Sequence, residues 1–220
     1  DRAILEFTKA EKAAEVSDSL YLGMTKSIQG HSYYETHNLE EVLNCFHKAY
    51  DIYSALSEYS KACSVMYKLI STYIAKLEFE KAEEMLLDLL DNNELRGNLR
   101  LRTLALYAYL NVAKPDRNPN HSVQLYEQLI NSNYSLSNND FWAYSFALSL
   151  VGRIAESRDI TSELFVSDTS SAAYYWQYLI AKYDNDYKRA LAYLEESNFR
   201  DNQVIITALN QSNLSTNEWS

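Results

Sequence analysis

A small residue, a large apolar residue four positions on, and another small or apolar residue three beyond that recur along this chain at a nearly constant step. Residues 39–49 read Leu-Glu-Glu-Val-Leu-Asn-Cys-Phe-His-Lys-Ala, with Val42, Phe46 and Ala49 in those three places. The same pattern stands at Ala3, Phe7 and Ala10, and at Ala82, Leu86 and Leu89 behind Phe79. A weaker copy has Ser122, Tyr126 and Leu129, and another has Ser157, Thr161 and Leu164 behind Ile154. The last has Ala190, Leu194 and Ser197 behind Tyr187. The anchors at 3, 42, 82, 122, 157 and 190 are separated by 39, 40, 40, 35 and 33 residues. Self-similarity at such a period marks a stack of supersecondary units, and it constrains the fold more than any local propensity does.

Close packing explains the pattern. Residues four apart lie on one face of a helix, one turn along from each other. A small residue at the anchor lets its helix approach a partner helix, and the large residue fills the gap to the next unit. Each helical pair leaves an apolar face open, so stacked neighbours share one continuous core.

Composition agrees with helices. Apolar residues make up 47% of the 220, whereas there are only four glycines and two prolines. An all-β chain of this length needs many more turn formers. The spacing predicts helices over 2–16, 18–36, 39–56, 59–76, 79–92, 98–113, 120–132, 139–151, 154–166, 170–183, 187–197 and 201–211. Asn139 or Asp140 is placed to cap the helix that follows it. The stretch Ala113–His121 holds both prolines and is the clearest loop, with Asn131–Asn139 the second. Neither reads as a domain linker, so one domain is expected over 1–220. The Asn-, Ser- and Thr-rich tail from Gln211 to Ser220 is expected to fray. Asp1 and Ser220 both stand close to helical patterns, which reads as a fragment of a longer protein.

These residues resemble the tetratricopeptide repeat, whose pattern runs Leu-Gly, Tyr, Gly, Tyr/Phe, Ala, Phe, Ala. Gly30, Tyr33, Leu39, Val42, Phe46 and Ala49 match it in one hairpin, and Leu69, Tyr73, Phe79, Ala82 and Leu86 in the next. The resemblance implies an all-α, right-handed superhelical solenoid of five to six helical hairpins. The chain departs from the pattern in its long early steps and in having Val42, Ser122 and Ser157 where the repeat has Ala. Long repeats of this kind resemble those of bacterial regulatory and sensor proteins, where such an array precedes a membrane or signalling segment.

Chemistry is not legible in the sequence. The four histidines, His31, His37, His47 and His121, form no metal-ligand spacing with each other or with Cys45 and Cys63. The two cysteines fall in apolar helical patterns and read as buried thiols. Glu78, Glu80, Glu83 and Glu84, like Glu195 and Glu196, read as solvated helix faces rather than paired catalytic acids. No nucleophile elbow or phosphate-binding loop is present. A non-enzymatic protein is expected, with no cofactor and no metal.

Binding is the remaining function. The resemblance implies a concave wall made by the first helix of each hairpin. Its fifth repeat position falls on Ser27, Tyr67, Tyr107, Trp142 and Tyr175, and its ninth on His31, Ser71, Asn111, Phe146 and Leu179. Tyr67, Tyr107, Asn111, Trp142, Phe146 and Tyr175 are therefore the expected peptide-binding residues. The competing expectation is that these rings pack between hairpins. The nineteen tyrosines fit either role.

Thirty acidic against 20 basic residues give a net charge of −10. A surface of that sign repels phosphate backbones, and no run of apolar residues approaches the ~20 needed to span a bilayer. The expected partner is a protein or an extended peptide, basic in preference, with neither nucleic acid nor membrane contacted by this segment. The alternative reading is a regulatory or self-assembly segment of a larger membrane-anchored or signalling protein, for which self-association is the partner. The compartment, cytoplasmic or periplasmic, is left open.

Overall fold

The computed structural model describes Ile4, Glu6, Phe7, Lys9, residues 19–36 and residues 38–217, with side chains described as far as Asn202 apart from Glu35. The helix expected over 2–16 falls largely outside these residues. Ten α-helices lie among the described residues: α1 (Ser19–Glu35), α2 (Leu39–Ala55), α3 (Tyr59–Ala75), α4 (Phe79–Asp91), α5 (Gly97–Ala113), α6 (Pro119–Asn131), α7 (Asn138–Leu150), α8 (Ile154–Ser167), α9 (Ser171–Tyr183) and α10 (Tyr187–Asn217).

The even-numbered helices begin at 39, 79, 119, 154 and 187, so the repeat step is a step in helix starts. Its length has a local cause. Helices α1, α2, α3 and α5 have 17 residues, whereas α4, α6, α7 and α9 have 13. The early steps are long because they contain the longer helices.

Internal packing divides the chain into two compact units, Asp1–Leu110 and Asn111–Ser220, with the boundary inside α5. In the first unit α1 packs on α2, α2 on α3 and α3 on α4. The anchor Val42 is fully buried there, as is Ala82, and Phe46, Leu69, Ile70, Leu86 and Leu89 close around them. In the second unit α6 packs on α7, α7 on α8 and α9, and α9 on α10. Its anchors Ser122, Ser157 and Ala190 are buried, with Tyr126 and Leu129 beside the first.

The turns within each unit share one device. The N–H of Glu58, Glu78, Tyr134, Arg153 and Asp186 each donates to the carbonyl five residues earlier, at 2.8–3.0 Å. The residue before each donor takes a left-handed backbone: Ser57, Leu77, Asn133, Gly152 and Asn185, with φ between 57° and 82°. This is the closure that satisfies the last carbonyls of a helix. Only one of the five is glycine, so four turns hold a Cβ residue in a conformation costing about 1–2 kcal/mol each.

Two expectations are corrected. The cap of α7 is Ser137, whose Oγ accepts from the Asp140 N–H at 3.2 Å while Asp140 accepts from the Ser137 N–H at 2.9 Å. Asp140 thus serves as the third-residue partner of a capping box and Asn139 takes no part in it. The helices expected over 187–197 and 201–211 are one, α10, which continues to Asn217. No Gly or Pro interrupts 198–217, and Arg200 pairs with Glu196 across the expected break at 2.9 Å.

Candidate functional site

In the first unit, the odd-numbered helices turn one face toward a recess of about 210 Å³. His31 and Tyr34 come from α1, Ser64, Tyr67, Lys68 and Ser71 from α3, and Leu99 and Arg102 from α5, with the Phe46 ring of α2 as the floor. The spacing explains the set: 64, 67, 68 and 71 form one helical stripe, as do 31 with 34 and 99 with 102. His31 meets Phe46 edge-on, with centroids 5.7 Å apart.

Two cations converge on this recess. The Lys68 ammonium donates to Ser27 Oγ at 3.2 Å and lies 5.5 Å from the Phe46 centroid. The Arg102 guanidinium lies over the Tyr67 ring, 4.8 Å from its centroid. Neither has a carboxylate partner among the described residues, and none lines the recess. Burial first, and then the charge of Arg102, push the Lys68 ammonium below its ordinary pKa. The Ser71 and Thr72 hydroxyls donate to the carbonyls of Tyr67 and Lys68 at 3.0 and 2.8 Å, which keeps them on their own helix.

The six residues expected on the concave wall have different surroundings. Tyr67 is half-buried and lines the recess, beside His31 and Ser71 of the same expectation. Tyr107 is half-buried against the core of the first unit. Asn111 is buried. Trp142 and Phe146 are each 1% exposed, so neither presents a ring to a ligand in this structure, and the expected wall is corrected at both. Trp142 Nε1 donates to Asp168 Oδ2 at 2.9 Å and its ring meets Phe165 edge-on. Phe146 packs against Trp176 and Tyr183, with Arg117 5.8 Å from its centroid. The cause is that α7 touches α6, α8 and α9, so all of Trp142–Ser149 is buried. Tyr175 is 48% exposed and stacks obliquely on Tyr178.

The sequence reading missed Lys68 and Arg102. They are far apart in the chain and form no basic run, so only the packing of α3 and α5 joins them.

The remaining candidates are structural. Cys45 and Cys63 are buried thiols. His47 Nε2 shares a hydrogen bond with Tyr73 Oη at 2.8 Å, and burial, with Lys81 next, pushes the imidazole down. His37 lies outside the described residues. Glu78 pairs with Lys76 at 2.8 Å, and Glu80 and Glu84 are exposed. Among the described residues no group of three or more His, Cys, Asp or Glu side chains is placed to hold a metal ion, and no helix is long and apolar enough to cross a membrane.

No protein-family model matches the chain, and no curated protein matches it. Solved structures do resemble it. A Podosopora anserina protein described as a kinesin light chain with nearly identical TPR-like repeats is 15% identical over 86% of this chain and 98% of that one, with a TM-score of 0.56. YrrB, a TPR protein with an unusual peptide-binding site, is 16% identical over 94% of this chain and 97% of its own, with a TM-score of 0.52. MamA is 14% identical, covering 83% and 98%, with a TM-score of 0.51. At such identities the likeness is one of fold: the chain is an all-α, tetratricopeptide-like repeat structure.

Proposed function

We propose that this chain is a non-enzymatic binding module that holds a segment of another protein against the recess of its first unit. The observation that carries the reading is the recess itself. Half-buried Tyr67, exposed His31 and Tyr34, and the Phe46 floor give it apolar walls, while Ser64 and Ser71 give it hydroxyls. Convergent rings with a few polar groups are how a protein surface anchors a peptide side chain. YrrB, similar in fold, has a peptide-binding site, which makes peptide the class of ligand to test first.

Exposed Tyr175 and the half-buried Tyr178 beside it in the second unit remain a candidate contact of the same kind. Trp142 and Phe146 leave the proposal, because a buried ring stabilises the fold whatever the ligand.

The test is selection of a displayed random peptide library on the 220-residue chain, followed by the affinity of the enriched peptides for variants. Tyr67→Ala, checked for an unchanged circular dichroism spectrum, is expected to lower that affinity at least tenfold. Tyr175→Ala serves as the comparison at the other aromatic site. Enriched peptides that bind Tyr67→Ala as well as they bind the unaltered chain would place the ligand elsewhere.

A further inference from the structure

We infer that the outward face of α10, formed by Tyr187, Leu191 and Glu195, docks an amphipathic helix of a partner protein that carries a basic residue at its C-terminal end. The surface belongs to the second unit and goes beyond the reading of the recess.

The repeat itself supplies the comparison. Three residues before their anchors stand Leu39, Phe79, Pro119 and Ile154, and all four are half-buried. Tyr187 holds that position in α10 and is 65% exposed. One residue after the anchor, Leu43 of α2 and Val123 of α6 are buried, whereas Leu191 of α10 is 58% exposed. Tyr187, Leu191 and Glu195 follow one another at one helical turn, so they share a face. Helix α10 is the last among the described residues, and its apolar stripe stands at positions that stacking covers elsewhere in the chain.

Charge says what fits there. Five residues after the anchor, His47 of α2 bonds Tyr73 in the last turn of α3, and Glu127 of α6 bonds Arg153 just past the end of α7. Arg158 of α8, one residue after its anchor, bonds Asp184, which follows α9 directly. In each case the outward face of one hairpin's second helix meets the C-terminal end of the next hairpin's first helix. Glu195 holds the Glu127 position in α10 and is exposed. A helix seated on Tyr187 and Leu191 in the same manner brings its C-terminal end to Glu195, where a lysine or arginine matches the carboxylate as Arg153 matches Glu127. A cation is also favoured at a helix C-terminus, where the backbone dipole is negative. The net charge of −10 attracts a basic partner and disfavours a second copy. Apolar side chains spaced by one turn are what the apolar face of a docking helix meets.

The experiment uses fluorescent, end-blocked helical peptide pools with apolar side chains randomised along one stripe and Arg, Gln or Glu fixed in the last turn. A fourth pool carries its Arg in the first turn. Anisotropy titrations of the 220-residue chain are expected to show the pool with Arg in the last turn bound at least tenfold tighter than the other three. Glu195→Lys is expected to turn the preference toward the Glu pool, a reversal that a damaged fold cannot produce. Leu191→Ser, checked for an unchanged circular dichroism spectrum, is expected to weaken binding of the Arg pool at least tenfold. Tyr67→Ala is expected to leave that binding unaltered. Binding lost in Tyr67→Ala and kept in Leu191→Ser places the peptide at the recess and overturns this surface, as does a preference for Arg that survives in Glu195→Lys. Equal binding of all four pools, or no binding by any, overturns it as well. A dimer in sedimentation that Leu191→Ser dissolves assigns the face to a second copy and overturns the partner helix.

Discussion

Gly30 lies directly under the ring of Phe46: a Cβ built on it stands 2.6 Å from Cε1 and 2.8 Å from Cδ1. Gly23, seven residues earlier on the same face of α1, has the same relation to Tyr53 at 2.9 Å. Helix α1 therefore approaches α2 through two positions that admit no side chain. Phe46 is 2% exposed, held on one side by α1 and forming the floor of the recess on the other.

Gly30→Ala tests that contact. On helix propensity alone the change stabilises by about 1 kcal/mol. Overpacking a full site costs about 1–3 kcal/mol. The net expectation is a loss of about 1 kcal/mol in urea unfolding, against the propensity scale. A raised midpoint would show that the Phe46 ring yields freely.

Ser157→Ala is expected to act in the opposite direction. Ser157 is an anchor, fully buried, and its carbonyl accepts from Ser145 Oγ at 3.1 Å. Its own Oγ is buried and has no partner among the described residues. Alanine keeps the small size that the approach of the helices needs and removes the orphaned hydroxyl. A buried unsatisfied group costs about 1–3 kcal/mol, so a gain of about 1 kcal/mol is expected. A thermal midpoint that falls would mean that the hydroxyl has found a partner. Ser157→Leu keeps no such size and is expected to destabilise.

The repeat made much of this legible from sequence. Val42, Ala82, Ser122, Ser157 and Ala190 were picked out by spacing and all five are buried, because a position that must be small leaves its mark on composition. The orientation of individual rings left no such mark. Trp142–Ser149 of α7 are buried on every side and carry only Ser145 and Ser149 as polar residues, so a period of 3.6 separates no groove face from a core face and repeat position alone puts Trp142 and Phe146 on the wall. The junction of Lys68 with Arg102 was invisible for a different reason. It depends on two helices packing, and neither residue belongs to a local charge run. The cap of α7 was misplaced by two or three residues because Ser137, Asn138, Asn139 and Asp140 are all residue types that cap.

Trp142 and Asp168 give the pH prediction. Burial works against the Asp168 charge, but hydrogen bonds from Trp142 Nε1 and from Ser170 outweigh it and hold the carboxyl below its ordinary pKa. A depressed folded-state pKa stabilises the fold above the unfolded value, near 3.9, and that stability is lost as pH falls through the folded value. Trp142→Phe keeps a ring and removes the donor. It is expected to cost about 2 kcal/mol at pH 7, and the difference from the unaltered chain should shrink below about pH 4. Equal loss at pH 7 and pH 3 would assign the effect to packing alone.

Lys68→Met carries the proposal about the recess into stability. Burial and the charge of Arg102 both disfavour the ammonium in the folded chain, so the unfolded chain binds that proton more readily. Stability then rises with pH between the depressed folded pKa and the unfolded value near 10.4. Methionine keeps an unbranched stem and has no charge to desolvate. The variant is expected to be more stable by about 1 kcal/mol at pH 7, and its advantage should narrow as pH approaches about 10. If Lys68→Met proves less stable at pH 7, the ammonium is held for its bond to Ser27 and its contact with Phe46, and the fold, rather than a ligand, is what keeps it there.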